Sequence, residues 1–291
     1  MLKSIANSTT GLRAHQQMLD VTAHNLANVN TVAYKERLVS FQELLYRDLK
    51  ERRLPVAGHA VRPPSSGRGV ALTATAASSR AGSLHFTGRP FDLALEGAGF
   101  FRVTRPDGSH AYTRCGNFFL DAEGGLVTAA GDKLGITLDR PAKNDRDENI
   151  DLSALIITPQ GEIFIPVPPP QPEKETDARS AAENKKKEEK EEPPAMEKVG
   201  ELPLYRFANP QGLLPIGGNL FLPADASGQP REGQAGEDGF GLLKRGFLET
   251  SNVDLAGQMV NLMRGQRAFQ AAARSLTTAD ELWAQTLNLQ V

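Results

Sequence analysis

Apolar residues recur at helical spacing near both ends of the chain and in short alternating runs between them. From Leu2, the series Leu2, Ile5, Thr9, Leu12, Gln16, Leu19, Ala23 and Leu26 advances alternately by three and four residues. That is the a/d spacing of a narrow helix-packing seam. Gly11 lies inside it and costs about 1 kcal/mol relative to Ala, so this helix needs tertiary support. It should end at Asn28-Val29-Asn30-Thr31, where short polar side chains compete for backbone hydrogen bonds. At the far end, Leu255, Met259, Leu262, Gln266, Phe269, Ala273, Leu276, Asp280, Trp283 and Leu287 alternate by four and three. Ser251 or Asn252 is the expected N-cap, with Asp254 in the first turn. Thr9, Gln16, Ala23, Gln266, Ala273 and Asp280 contribute little burial at ~25 cal/mol per Å². Ordering each residue costs roughly 1–2 kcal/mol, so a lone pair of these helices is marginal. It becomes stable if further copies pack around it. The plainer alternative is two ordinary amphipathic helices on a globular core.

The middle of the chain predicts β structure. Phe100–Arg105 and His110–Arg114 flank Asp107-Gly108, a hairpin turn signal. Phe118–Leu120 and Leu126–Thr128 flank a second turn, and Ala154–Thr158 and Glu162–Ile165 a third. Hairpins between sequence neighbours predict an α+β chain, with an antiparallel β-rich domain flanked by N- and C-terminal helices that pair as a coiled coil. The expected organisation is a terminal helical assembly domain over 1–35 and 248–291, an extended connector over 36–80, and a β-rich domain over 81–247. Within the last, 166–199 reads as a charged low-complexity insertion. From 173 to 192 it holds eight acids and six bases with almost no apolar residue, so it cannot bury a core. It is expected to be a solvated surface insertion, the alternative being a dedicated binding arm.

Composition removes whole function classes. Among 291 residues, 33 Lys+Arg oppose 35 Asp+Glu for a net charge of −2, which argues against nucleic-acid partners, because these need a clustered cationic excess. No run of 18 apolar residues exists, so no membrane insertion is expected. The polar stretch after Ile5 does not read as a cleavable export signal. A single cysteine, Cys115, excludes an intrachain disulfide and a thiolate zinc site. The five histidines lack metal-binding spacing, and Gly97-Ala98-Gly99 runs into a strand rather than a phosphate-binding helix. Cys115 beside Arg114 could be activated, a half-exposed inert thiol being the alternative. A hydrolase using His85 or His110 has no supporting motif. No catalytic, cofactor or metal site is expected.

One segment, Asn25-Leu26-Ala27-Asn28-Val29-Asn30-Thr31-Val32-Ala33-Tyr34-Lys35, resembles the signature of flagellar basal-body rod and hook proteins, which more often carry Gly at the place of Ala33. Further blocks follow in that family's order. They are Ala81–Leu84, Thr87-Gly88-Arg89-Pro90-Phe91-Asp92-Leu93 through Phe101, Tyr112–Phe118, Phe207–Leu213, Gly217–Phe221, Gly246–Leu255 and Met259-Val260 to Gln266-Arg267-Ala268-Phe269. Cys115 departs from the acidic residue or Asn usual there. Length and the Pro/Ser/Gly connector are most similar to distal-rod subunits, with proximal-rod subunits next.

The resemblance implies a structural, non-enzymatic rod subunit without cofactor. Its implied partners are copies of itself, other rod and hook subunits, and the type III export apparatus. The terminal segments would order as paired helices on assembly, and the β domain would lie outside the tube. The implied assembly interface comprises Leu2, Ile5, Leu12, Leu19 and Leu26, the joint Asn28, Asn30, Thr31, Tyr34 and Lys35, and the return segment Leu248, Asn252 and Val253. It continues through Leu255, Met259, Leu262, Gln266, Phe269, Leu276, Trp283 and Leu287. The competing class is a soluble β-rich binding module whose folded helical hairpin docks one partner.

Overall fold

A computed structural model describes residues 2–44, 47–48, 65–121, 125–138, 156–166 and 196–288. The chain divides into two units, Met1–Ser83 with Thr250–Val291, and Leu84–Glu249. The insertion at 167–195, the connector stretch 49–64 and the second turn's residues 122–124 lie outside the described residues.

The first unit is built on α1 (Leu2–Ala27) and α2 (Leu255–Asn288). Inside α1, the hydroxyls of Thr9 and Thr22 donate back to the carbonyls of Ile5 and Met18, at 2.8 and 2.7 Å, which satisfies them without leaving the helix. α1 ends where expected: Asn28 donates to the His24 carbonyl through both its amide N–H and its side chain, and successive tight turns carry the chain to Tyr34. The cap of α2 differs from expectation. Asp254 accepts from the Ala256 N–H at 3.1 Å, whereas Asn252 is committed elsewhere and Ser251 accepts only from Val253.

The helices run antiparallel: the Ser8 and Ser275 hydroxyls meet at 3.2 Å, Leu19 covers Gly265, and Asn25 reaches Gln258. In that register α2 continues past the start of α1 from about Trp283. Beside the helices, strand Arg37–Glu43 pairs with Val70–Ala77. The region read as an extended connector therefore contributes a paired antiparallel ladder to the same unit as the helices, since Val70–Ala77 supplies a run of alternating small and β-branched residues.

In the second unit every strand pairing among the described residues is antiparallel, and a single 3-10 turn, Pro210–Gly212, lies among the strands. A seven-stranded sheet runs Leu214–Gly217, Leu220–Leu222, His110–Thr113, Phe101–Thr104, Lys133–Leu134, Leu126–Val127 and Phe119–Leu120. A four-stranded sheet contains the hairpin Ile156–Ile157 with Glu162–Pro166, paired onward to Met196–Glu201. Within the described residues the strands of all three expected hairpins pair with their sequence neighbours. Phe101 and Val103 point inward and Arg102 and Thr104 outward, the period-2 alternation of a half-buried strand. The core gathers Leu93, Leu95, Phe101, Phe118, Ile163 and Leu204, with Phe101 and Phe118 edge to face at 5.6 Å. A second cluster joins Phe100, Tyr112, Tyr205, Phe207 and Leu213. At Gly116 the backbone approaches strand Leu93–Glu96 so closely that a Cβ would lie 1.6 Å from the Leu93 carbonyl oxygen, so only glycine fits.

Candidate functional site

The buried face of each helix is a heptad line, but only half of it is the line expected from apolar spacing. Along α1, Ile5, Leu12, Leu19 and Leu26 are partly buried, while Gln16 and Ala23 are exposed. The sheltered positions between the large residues belong to Ser8, His15 and Thr22. Along α2, Leu262, Phe269, Leu276 and Trp283 are partly buried, and Gln258, Gly265, Ala272 and Ala279 fill the alternate positions. Leu255, Met259, Gln266, Asp280 and Leu287, expected in the same seam, face outward. The physical reason is close approach. A Cβ built on Gly265 would lie 2.9 Å from Leu19 Cδ2, so small residues admit the partner's leucines where Met259 or Gln266 would hold the backbones apart. Leu2's side chain lies outside the described residues.

The joint where α1 hands over to strand Arg37–Glu43 is a polar knot. Asn25, 2 % exposed, donates to the Arg37 carbonyl and accepts from the Arg37 N–H, both at 2.9 Å. Its side-chain amide thus supplies the pair of bonds that a neighbouring strand would. The Tyr34 hydroxyl donates to the Asn25 Oδ1 at 2.9 Å, and burial pushes its pKa up. Asn252 accepts from the Glu36 N–H at 2.7 Å and donates to the Arg80 carbonyl at 2.9 Å. Lys35 donates to that same carbonyl, and Gln258 donates to the Glu36 carboxylate at 2.7 Å. Residues distant in sequence are thereby stitched together: α1, the two flanking strands and the first turn of α2.

Of the joint residues expected from sequence, Tyr34 and Lys35 are buried within this knot and Val253 is buried beside Asn252. Asn28 and Thr31 bond to each other at 3.1 Å, and Asn30 is exposed. Leu248 stands in the second unit, paired with His85 across strands Phe247–Glu249 and Leu84–Phe86. Asn25, Glu36 and Gln258 were missed. Their signal was slight: polar residues on an otherwise packing face, which hydrophobic periodicity discards. Ala33 adopts φ +56° while 1 % exposed, a left-handed conformation in which glycine is unstrained.

Several large apolar side chains of the helical unit are exposed: Leu255, Met259, Val260, Met263, Leu282 and Leu287 on α2, and Leu38 and Phe41 on the neighbouring strand.

Among the described residues of the second unit, an open cleft of about 360 Å³ is lined by Gln160, Glu162, Gln234, Glu237 and Leu242. Burial raises the Cys115 pKa, and the neighbouring Arg114 is engaged by Glu249 at 3.0 Å, so proximity to Arg114 does not activate the thiol. His85 Nδ1 lies against the Phe86 carbonyl and His110 against Thr104. Among the described residues, no helix is long and apolar enough to cross a membrane, and no cluster of three His, Cys, Asp or Glu could hold a metal.

Comparison with known proteins converges on one family. The model described as "Flagella basal body rod protein" matches residues 5–35, the "Flagellar hook protein FlgE/F/G D1 domain" residues 94–165, and the "Flagellar basal body rod FlgEFG protein C-terminal" residues 244–289. The flagellar basal-body rod protein FlgG of Borreliella burgdorferi is 30% identical over 292 residues, covering 100% of this chain and 99% of that one. FlgG of Bacillus subtilis is 32% identical over 298 residues and all of both chains. FlgG of Agrobacterium fabrum is 32% identical over 284 residues and 97% of each. Matched along its whole length, with the helical joint and both terminal helices inside the matched segments, the chain belongs to the flagellar basal-body rod proteins, structural subunits of the flagellum rather than enzymes.

Proposed function

We propose that this chain polymerises into the shaft of the rod through its paired terminal helices, with α1 and α2 as the shared assembly element and the polar knot as the device that holds them to the adjoining strands. The observation that carries this is the face of α2: Leu255, Met259, Val260, Met263, Leu282 and Leu287 are exposed on a helix whose buried side is already occupied by α1. A seam alternating large residues with Ser8, Thr22, Gly265 and Ala279 buries modest apolar area, so neighbouring copies would supply the rest. A contact between unlike surfaces that does not close on itself generates a helical filament, as a shaft requires.

Of the residues expected at the interface, the outward Leu255, Met259, Gln266 and Leu287 contact other copies in this reading. Ile5, Leu12, Leu19, Leu26, Leu262, Phe269, Leu276 and Trp283 hold the pair together, and Asn28, Asn30, Thr31, Tyr34, Lys35, Asn252 and Val253 orient it. Other rod and hook subunits would meet the ends of the filament, at the distal part of the rod, after passage of the unfolded chain through the type III export apparatus. A soluble module docking a single partner is disfavoured by membership of a rod family.

The test is truncation. Deleting residues 1–30 or 255–291 should abolish polymer while the hydrogen-exchange protection of strands Phe101–Thr104 and His110–Thr113 survives. A truncated chain that restores motility to a strain lacking the gene would overturn the proposal. In the same strain, electron micrographs of basal bodies would show a shaft that stops at this subunit's position.

A further inference from the structure

The charges of α2 are segregated by sign. Arg264, Arg267 and Arg274 are the ionisable residues of its first two-thirds, and Asp280 and Glu281 those of its last third. All five are exposed, and among the described residues none forms an ion pair. No acid lies three or four residues from any of the arginines, so intrahelical pairing does not account for them. Arg264 and Arg267, three apart, repel each other. The arrangement therefore does nothing for α2 as an isolated helix. Each block sits beside exposed apolar side chains: Val260 and Met263 with the arginines, Leu282 and Leu287 with the acids. α1 shows no such segregation, its exposed charges including Arg13 and Asp20.

Resting on the rod reading above, we propose that the acidic end of α2 in one copy docks on the basic stretch of α2 in a second copy, in parallel and staggered. Glu281 then faces Arg267 of the neighbour, with Asp280 and Leu282 at the two flanks of that contact, each about 100° round the helix. Setting Glu281 against Arg267 fixes the stagger at about 21 Å, from a rise of 1.5 Å per residue. Because the two surfaces differ, each docked copy presents a fresh acidic end and a fresh basic stretch, and growth stays open-ended. Charge thus selects the register, and the apolar side chains beside it supply the burial.

Two charge-reversed full-length chains test this: one carrying Arg264→Glu, Arg267→Glu and Arg274→Glu, the other Asp280→Arg and Glu281→Arg. Each alone should sediment roughly tenfold less polymer than the unaltered chain at low salt, since like charges then meet. An equimolar mixture should recover sedimentation, because the reversed stretch of one variant meets the reversed end of the other, and their two unaltered surfaces are likewise complementary. A chain carrying all five substitutions should also recover it, and serves as the control that they do not unfold the helix. Normal sedimentation of either single variant, or no recovery in the mixture and the fivefold variant, overturns the proposal and leaves the rod reading standing. Recovery as a closed dimer rather than a filament overturns it too, because antiparallel helices would satisfy the same charges. An unaltered chain that never sediments, tested with basal bodies that remain complete in its absence, would remove the rod reading and this one together.

Discussion

Glu249 closes the second unit's last strand and is 1 % exposed; its carboxylate accepts from Arg114 Nε at 3.0 Å. Arg114 is 8 % exposed, donates also to the carbonyls of Gly97 and Gly99, and lies over the Phe100 ring. Removing one partner of a buried pair leaves the other charge uncompensated, which costs roughly 3–5 kcal/mol. The two carbonyl acceptors remain in Glu249→Ala, so the lower end applies, about 3 kcal/mol. Glu249→Gln keeps an acceptor but loses the charge, and should cost about 1–2 kcal/mol. Replacing both partners by apolar residues, Arg114→Met with Glu249→Leu, removes the desolvation penalty with the attraction. It should recover most of the loss. Urea unfolding of the full chain measures the cost, and hydrogen exchange in Phe101–Thr104 and His110–Thr113 assigns it to this unit. Glu249→Ala costing less than about 1 kcal/mol, or a double variant no more stable than the single one, would refute the reasoning.

At Ala33, relief of left-handed strain worth ~1–2 kcal/mol offsets the lost methyl and the entropy of glycine in Ala33→Gly. That variant should melt close to the parent, whereas Ala33→Val should lose about 2 kcal/mol or more. Equal melting temperatures for the two would contradict the conformation. Lys198 donates to Glu162 and Glu201, and its hydrogen bond is the largest cause holding the Glu201 pKa below the usual carboxylate range. That stabilisation is present above the ordinary Glu value and is lost as pH falls through the lowered one. An acid titration of Glu201 by NMR should show the depressed midpoint, and Lys198→Met should raise it toward the ordinary value while the Gln234 hydrogen bond to Glu201 remains.

Local chemistry alone determined a good deal of this protein. Helix spacing at both ends, the polar stop after Ala27 and the Asp107-Gly108 turn each depend on residues a few positions apart, so the helices and the three hairpins were legible. So was the family, through the run from Asn25 to Lys35. The side of the seam that faces inward was not legible. Hydrophobic spacing ranks Met259 above Gly265, but the fit of Leu19 over a missing Cβ reverses that order, and fit is a property of two surfaces rather than of one. The knot was equally hidden, because Asn25 gains its role only when Arg37 is brought to it and Asn252 only when Glu36 and Arg80 converge on it. A polar side chain in a packing face looks like a defect until tertiary structure delivers the backbone groups it satisfies, since a buried amide costs free energy alone and stabilises only when paired.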